Sequence, residues 1–94
     1  MRYELSERAR ADIKAIIIYT LENFGRGQAD EYLDGLFKSF DLLTDNPRIG
    51  MSVTGGVRRY IYRSHYVFYE IRGEVIRIAT IRHTRQELPP EWKR

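Results

Sequence analysis

The sequence predicts an α+β domain in which a helical hairpin packs on one face of a small, mainly antiparallel sheet. Two observations carry this prediction: apolar residues recur at helical spacing in the first half, and they alternate with polar residues in the second. The predicted element order is β-α-α-β-β-β. The length of 94 residues fits a single domain, residues 1–94, with one modest core.

A short strand and a first helix open the predicted fold. Residues 2–5 alternate in polarity, which places Tyr3 and Leu5 on one side of a strand. Ser6 is a good N-cap, and Gly25 is well placed to end the helix in a left-handed conformation. The apolar stripe of this helix consists of Ala9, Ile13, Ile16, Ile17, Thr20 and Phe24.

A second helix is expected to begin near Gln28, after a break at residues 25–27, and to end at residues 45–47. The two helices form an antiparallel hairpin with one shared apolar side. The stripe of the second helix consists of Ala29, Leu33, Leu36, Phe37, Phe40 and Leu43.

Three strands are predicted in the second half, at residues 57–63, 66–71 and 74–81, with Gly55-Gly56 as a turn before them. Ile76 and Ile78 are the better candidates to face the helices, which leaves the opposite face open for function. The residues predicted on that open face are Val75, Arg77, Ala79 and Ile81, with His83 added if the strand continues. On the strand at residues 57–63, either Arg59 and Arg63 or the set of Arg58, Tyr60 and Tyr62 faces outward.

The composition excludes several classes of site. Cysteine is absent, so disulfides, thiolate nucleophiles and cysteine-based zinc sites are ruled out. With two histidines, His65 and His83, no metal site is expected, and no motif points to a cofactor. The longest apolar run covers residues 15–19, far short of the roughly 20 residues that span a membrane. No signal-peptide pattern is visible, so a cytoplasmic protein is expected.

Charge is distributed unevenly along the chain. Residues 1–50 carry a net charge of −2, residues 51–94 carry +5, and arginine outnumbers lysine thirteen to three. An arginine-rich half suggests an acidic partner, either nucleic acid or an acidic protein segment, although a solvated sheet face would look the same. Arginines interleaved with tyrosines could hold phosphates and stack bases, or they could keep a strand soluble.

Two further groups stand out against this background. Ala11, Ala15 and Ile18 point away from the predicted core of the first helix, and Leu42 does so on the second. Such a row is either scattered apolar surface or a docking site for a partner. His83 could act as a general acid or base, but its neighbours in sequence include no carboxylate to orient it, so a surface or interface role is favoured.

Several segments together resemble the ParE branch of the RelE/ParE toxin superfamily. Residues 5–13, LSERARADI, resemble the opening "LS-x-x-A-x-x-D-[IL]" of that branch. Residues 43–50, LTDNPRIG, are similar to its "L-x-x-x-P-x-x-G". Residues 19–25, followed by the helix that begins at residues 28–29, continue the match in order. The three-strand ending of the family is resembled by residues 58–60, 65–69, 75–78 and 81–83. The resemblance covers essentially the whole chain.

The resemblance implies the β-α-α-β-β-β fold and the toxin of a type II toxin–antitoxin pair. The expected partner is a ParD-like antitoxin, acidic and partly disordered when free. ParE-branch toxins are described as poisoning DNA gyrase, whereas RelE-branch enzymes cut mRNA in the ribosome. The RelE-like "Y-R-[LIV]-x-Y" strand has an arginine where this chain has Tyr66, and no tyrosine follows Tyr69. The chain is therefore expected not to be an enzyme.

Site residues are assigned on these grounds, without a metal ligand, membrane contact or sequence-specific DNA contact. The residues expected to bind the antitoxin are Ala11, Ala15, Ile18, Leu42, Arg59 and Arg77. The residues expected to bind the target, and so to cause toxicity, are Arg82, His83, Arg85 and Trp92. Two alternatives remain: a RelE-like ribonuclease that uses Arg77, His83 and Arg85, and a degenerate member that only binds its antitoxin.

Overall fold

The computed structural model describes residues 1–86, which form one kinked helix and five strands. In chain order these elements are β1 (Arg2–Leu5), α1 (Glu7–Asp45), β2 (Met51–Thr54), β3 (Val57–Tyr62), β4 (His65–Arg72) and β5 (Val75–His83).

Helix α1 consists of two arms that meet at Gly25. The Gly25 backbone, with φ 85° and ψ 175°, is not helical, and this residue separates residues 7–24 from residues 26–45. A positive φ is readily adopted only by glycine, so the predicted break at this position is confirmed. The break is shorter than predicted, because the helix resumes at Arg26 and not near Gln28. The predicted N-cap is also confirmed, since the Ser6 side chain accepts a hydrogen bond from Ala9 N–H.

The sheet has five strands in the order β1-β5-β4-β3-β2. Strand β1 pairs with β5 in parallel, and the other neighbours are antiparallel. The meander of β3, β4 and β5 agrees with the sequence prediction. Strand β2 was not predicted, because its four residues, Met-Ser-Val-Thr, are too few to show a clear alternation. A turn at Gly55, with φ 52°, joins β2 to β3 as expected.

The core lies between α1 and one face of the sheet, which we call the inner face. Ile76 and Ile78 are fully buried there, as predicted. Tyr60 and Tyr62 also pack against the core, so Arg59 lies on the opposite, outer face. The other buried members of the core cluster are Ala9, Ile13, Leu36, Phe40, Leu43, Val67, Tyr69 and Ile81.

Two aromatic residues assigned to the apolar stripes do not lie in the core. Phe24 is 62% exposed, because it ends the first arm just before the kink, and it contacts Tyr19 there. Phe37 is also exposed, and its ring packs edge-on against Phe40 at a centroid distance of 5.5 Å. The predictions that placed both phenylalanines in the core are therefore wrong.

A bulge in β5 reverses the alternation of its side chains. Tyr69 pairs with Ile78 whereas Phe68 pairs with Thr80, so Ala79 is an extra residue. Arg77 lies on the outer face as predicted. Beyond the bulge, Ile81 is buried in the core and pairs with Val67, and His83 shares its face. The predictions of Ile81 and His83 on the open face are therefore wrong.

Candidate functional site

A groove of about 810 Å³ lies between the first arm of α1 and the ends of β4 and β5. Both arms of the helix contribute to it, together with the β3–β4 turn and the chain after β5. The lining residues are Asp12, Ala15, Ile16, Tyr19, Thr20, Phe24, Gln28, Tyr32, Ser64, His65, Ile81, His83, Arg85 and Gln86.

One wall of the groove is apolar and exposed. Tyr19 and Phe24 are each 62% exposed, and their rings meet edge to face at 6.3 Å between centroids. Ile18 and Leu21, on the same arm, are exposed as well. Large exposed apolar side chains that are contiguous mark a contact surface more often than single ones do. This wall is therefore a candidate docking surface for an apolar segment.

The other end of the groove contains a pair of histidines. His65 and His83 are register partners on β4 and β5, and their ring centroids are 5.4 Å apart. A hydrogen bond links the Tyr32 hydroxyl to Nδ1 of His65. Burial, followed by the charge of His83, lowers the pKa of His65 from 6.5 to about 4. His65 is therefore neutral at pH 7.

Tyr32 is fixed by the β3–β4 turn. The Tyr62 hydroxyl donates a hydrogen bond to the Tyr32 carbonyl oxygen at 3.0 Å. The guanidinium of Arg63 lies 5.7 Å from the centroid of the Tyr32 ring and forms an ion pair with Glu31 at 3.3 Å. Burial raises the pKa of Tyr32, so its hydroxyl keeps its proton. The polar end of the groove is thus held in place from both the helix and the sheet.

The residues expected to bind the antitoxin lie on both sides of the sheet. Ala15 lines the groove, and Ala11 and Ile18 are exposed on the same arm. On the outer face, the Arg59 guanidinium lies 4.5 Å from the centroid of the Tyr66 ring. Arg77 lies on the same face, with an ion pair to Glu4 at 3.6 Å.

Leu42, the remaining member of that set, lies on the second arm and is partly buried. A single partner that reaches all six residues has to pass from the helices around to the outer face of the sheet.

The residues expected to bind the target are divided between the two faces of the sheet. His83 and Arg85 line the groove, whereas Arg82 pairs with Tyr66 on the outer face. Trp92 lies outside the described residues. The arrangement also separates Arg77 from His83 and Arg85, because Arg77 is on the outer face. The three residues of the ribonuclease hypothesis therefore do not converge on one site.

Sequence reasoning missed Tyr32 and His65, which form the polar end of the groove. Tyr32 carried no motif of its own, although its spacing of four residues from Gln28 places both on one side of the second arm. The sequence predicts a tight break at Ser64-His65, whereas His65 begins β4 and faces His83. Local sequence holds no signal for this contact, because the β5 bulge creates it.

Within residues 1–86, no group of three or more His, Asp or Glu side chains is arranged to hold a metal ion. The helix in the same range is not long and apolar enough to cross a membrane.

A helical hairpin on a five-stranded mixed sheet, with an open groove beside the first arm, defines a RelE/ParE-like α+β protein. Residues 3–88 match the family described as "ParE toxin of type II toxin-antitoxin system, parDE". The chain therefore belongs to the ParE toxin family, as the sequence motifs had predicted.

Relatives and a solved structure agree with this assignment. The chain is 34% identical to Toxin ParE1 of Mycobacterium tuberculosis (strain CDC 1551 / Oshkosh) over 91 residues, 93% of each chain. It is 35% identical to Toxin ParE1 of Caulobacter vibrioides over 81 residues, covering 81% of this chain and 84% of that one. A chain of the chromosomal ParDE TA system from P. aeruginosa matches with a TM-score of 0.77 and 23% identity, over 88% of this chain and 95% of that chain, which supports the fold.

Proposed function

We propose that this ParE-family toxin inhibits DNA gyrase without catalysis and is neutralised by a ParD-like antitoxin, both in the cytoplasm. The proposal combines the family assignment with one structural observation. The groove brings Ala15, assigned to antitoxin binding, into the same cavity as His83 and Arg85, which are assigned to target binding. An antitoxin segment seated at Ala15 would therefore cover target-binding residues, which is a direct route to neutralisation.

The antitoxin is proposed to wrap the toxin. Ala11, Ala15 and Ile18 offer an apolar row, and Leu42 extends it on the second arm. Arg59 and Arg77 offer positive charge on the outer face, where an acidic segment would be attracted. An amphipathic segment that covers the helices and then crosses the sheet would contact all six residues.

Inhibition of gyrase is proposed to rest on binding by Arg82, His83, Arg85 and Trp92. Arginine and tryptophan are enriched at the energetic centres of protein interfaces. Cleavage of RNA needs cations placed on the phosphoryl oxygens together with a general base. Tyr66 stands where a RelE-like enzyme has an arginine, and Arg77 and His83 lie on opposite faces. These placements favour a toxin that binds and does not cut.

Three measurements test the proposal. The toxin is co-expressed with the product of the adjacent open reading frame, and we expect the two to co-purify as a complex. Free toxin should inhibit DNA supercoiling by purified gyrase, and added antitoxin should restore it. Primer-extension mapping after induction should reveal no new cuts in translated mRNA.

Each negative result would support one of the two alternative functions. Cuts within codons that disappear in His83→Ala would establish the ribonuclease instead. A stable complex without gyrase inhibition or growth arrest would leave a degenerate member that only binds its antitoxin.

A further inference from the structure

Hydrogen-bond acceptors at the histidine end of the groove are already used within the chain. Nδ1 of His83 accepts from the Arg85 backbone N–H at 3.1 Å, and Oε1 of Gln86 accepts from the His83 backbone N–H at 2.7 Å. The Ser64 carbonyl oxygen accepts from Thr84 N–H at 2.9 Å. Nδ1 of His65 is engaged by the Tyr32 hydroxyl.

These bonds determine which hydrogen-bonding groups of the same residues remain available to a ligand. Because Nδ1 of His83 accepts a hydrogen bond, the proton of this ring is on Nε2, which remains an N–H donor. In the tautomer in which the Tyr32 hydroxyl donates to Nδ1, His65 offers its Nε2–H as well. Gln86 retains its amide NH₂, and Arg85 retains its side-chain guanidinium. All four residues line the groove. This end therefore presents a surplus of donors, and an anionic acceptor would satisfy it.

The carboxylate of Asp12, which also lines the groove, is engaged elsewhere. One oxygen of Asp12 accepts from both the Thr80 hydroxyl and the Ile81 backbone N–H, at the bulge. Charge on the chain points the same way, because residues 51–94 carry a net charge of +5. The complementary occupant is an external carboxylate attached to a segment that also covers the apolar wall.

We propose that His65, His83 and Arg85 form a carboxylate-binding pocket, which receives one acidic side chain of the antitoxin while apolar residues beside it cover Tyr19 and Phe24. This inference rests on the proposed function, since it assigns the groove to the antitoxin. A carboxylate accepts from two N–H donors at once, so the pocket selects an acidic residue over its amide. The acidic residue would set the register of the bound segment, because the apolar wall alone is compatible with several positions.

A double-mutant cycle tests this pocket with the co-purified complex. The probe is the antitoxin encoded by the adjacent open reading frame, with each Asp and Glu of its toxin-binding segment changed singly to Asn or Gln. On the toxin, His83→Phe removes the donor but keeps a ring, and His83→Gln restores an N–H donor. Arg72→Gln is the matched control, because Arg72 is exposed at the β4–β5 turn, away from the groove.

We expect His83→Phe to raise the dissociation constant at least about tenfold, and His83→Gln to recover most of that loss. One antitoxin carboxylate should give a similar loss when it is changed to its amide. Combining the two changes should cost little more than either alone, because they remove the same interaction. The control should bind like the unmodified toxin.

Each of the remaining outcomes would contradict the proposed carboxylate-binding pocket, and the outcomes can be distinguished from one another. Additive losses for every carboxylate would mean that none of them sits in the pocket. If unmodified toxin and antitoxin form no complex, the proposed function itself is wrong. If the free toxin is a dimer that His83→Phe dissociates, the occupant of the groove is a second copy of this chain.

Discussion

The carboxylate of Asp12 accepts a hydrogen bond from the backbone N–H of Ile81 at 2.9 Å and another from the Thr80 hydroxyl. At the start of the same arm, the Ser6 hydroxyl donates to the Ala79 carbonyl oxygen at 2.6 Å. Ala9, between the two, is fully buried. The spacing Ser-x-x-Ala-x-x-Asp thus attaches the first arm to the β5 bulge. The same Ser-x-x-Ala-x-x-Asp motif resembles the family's opening segment. Its hydrogen bonds stabilise the β5 bulge, and the bulge directs His83 towards the groove.

Removal of the Asp12 carboxylate should destabilise the protein. Asp12→Ala leaves the Ile81 N–H and the Thr80 hydroxyl without their acceptor, and we expect the free energy of unfolding to fall by about 1.5–3 kcal/mol. Urea denaturation measures the change. Asp30→Ala is the control, because the ion pair of Asp30 with Arg26 is exposed at 3.8 Å and should contribute less than about 1 kcal/mol. Equal losses in both variants would rule out a special role for the bulge contact.

Tyr69 joins the sheet to the chain that leaves the helix. Its buried hydroxyl donates to the Pro47 carbonyl oxygen at 2.7 Å and accepts from Gly50 N–H at 2.9 Å. We expect Tyr69→Phe to lower the free energy of unfolding by about 1–3 kcal/mol, because it leaves the Gly50 N–H and the Pro47 carbonyl oxygen without this partner. Thermal unfolding followed by circular dichroism tests this. Tyr19→Phe, at an exposed position, should change the melting temperature little, and an unchanged Tyr69→Phe would contradict the prediction.

Much of the fold could be predicted because it depends on local patterns. Ser6, Gly25 and the Ile76/Ile78 pair each carry a signal within a few residues of sequence. The β5 bulge carries none, because it is stabilised by Ser6 and Asp12, which lie more than sixty positions away in the chain. The extra residue at Ala79 shifts the alternation of side chains by one position. A prediction that assumes a regular strand therefore places Ile81 and His83 on the wrong face. Tyr32 was missed for the same reason, because its place at the polar end of the groove depends on a long-range contact with His65.

Stability should depend on pH through His65. Its pKa is about 4 in the folded protein and near 6.5 in the unfolded chain, so the unfolded state binds a proton first as the pH falls. The stabilising contribution of neutral His65 to the free energy of unfolding is therefore complete above pH 6.5, and it is lost as the pH falls through 4. We expect a loss of about 2 kcal/mol, reduced from the full value because the ring is only partly buried.

Chemical denaturation at several pH values measures this, for the unmodified protein and for His65→Gln. The difference between the two profiles isolates His65, since the carboxylates titrate in both proteins. Parallel profiles between pH 6.5 and 4 would show that His65 is as solvated in the folded state as in the unfolded one.

A charge on the helix row should weaken the complex with the antitoxin. Ile18 is 46% exposed, so Ile18→Asp should fold normally while placing a charge in an apolar contact. We expect a loss in binding free energy of about 2–3 kcal/mol. Isothermal titration with the antitoxin measures it, and Arg72→Asp, an exposed substitution at the end of β4, is the control for charge. Unchanged affinity of Ile18→Asp would remove this row from the interface.

The two arginines after the bulge allow target binding to be separated from antitoxin binding. Arg85 lines the groove and Arg82 lies on the outer face, so single substitutions act on different surfaces. We expect Arg82→Ala to reduce inhibition of gyrase supercoiling at least about tenfold while the affinity for the antitoxin is unchanged. Arg85→Ala should reduce both, because the antitoxin pocket and the target site share this residue. The double variant should no longer arrest growth, and a double variant that remains fully toxic would move the target-binding surface to Arg59, Arg63 and Arg77.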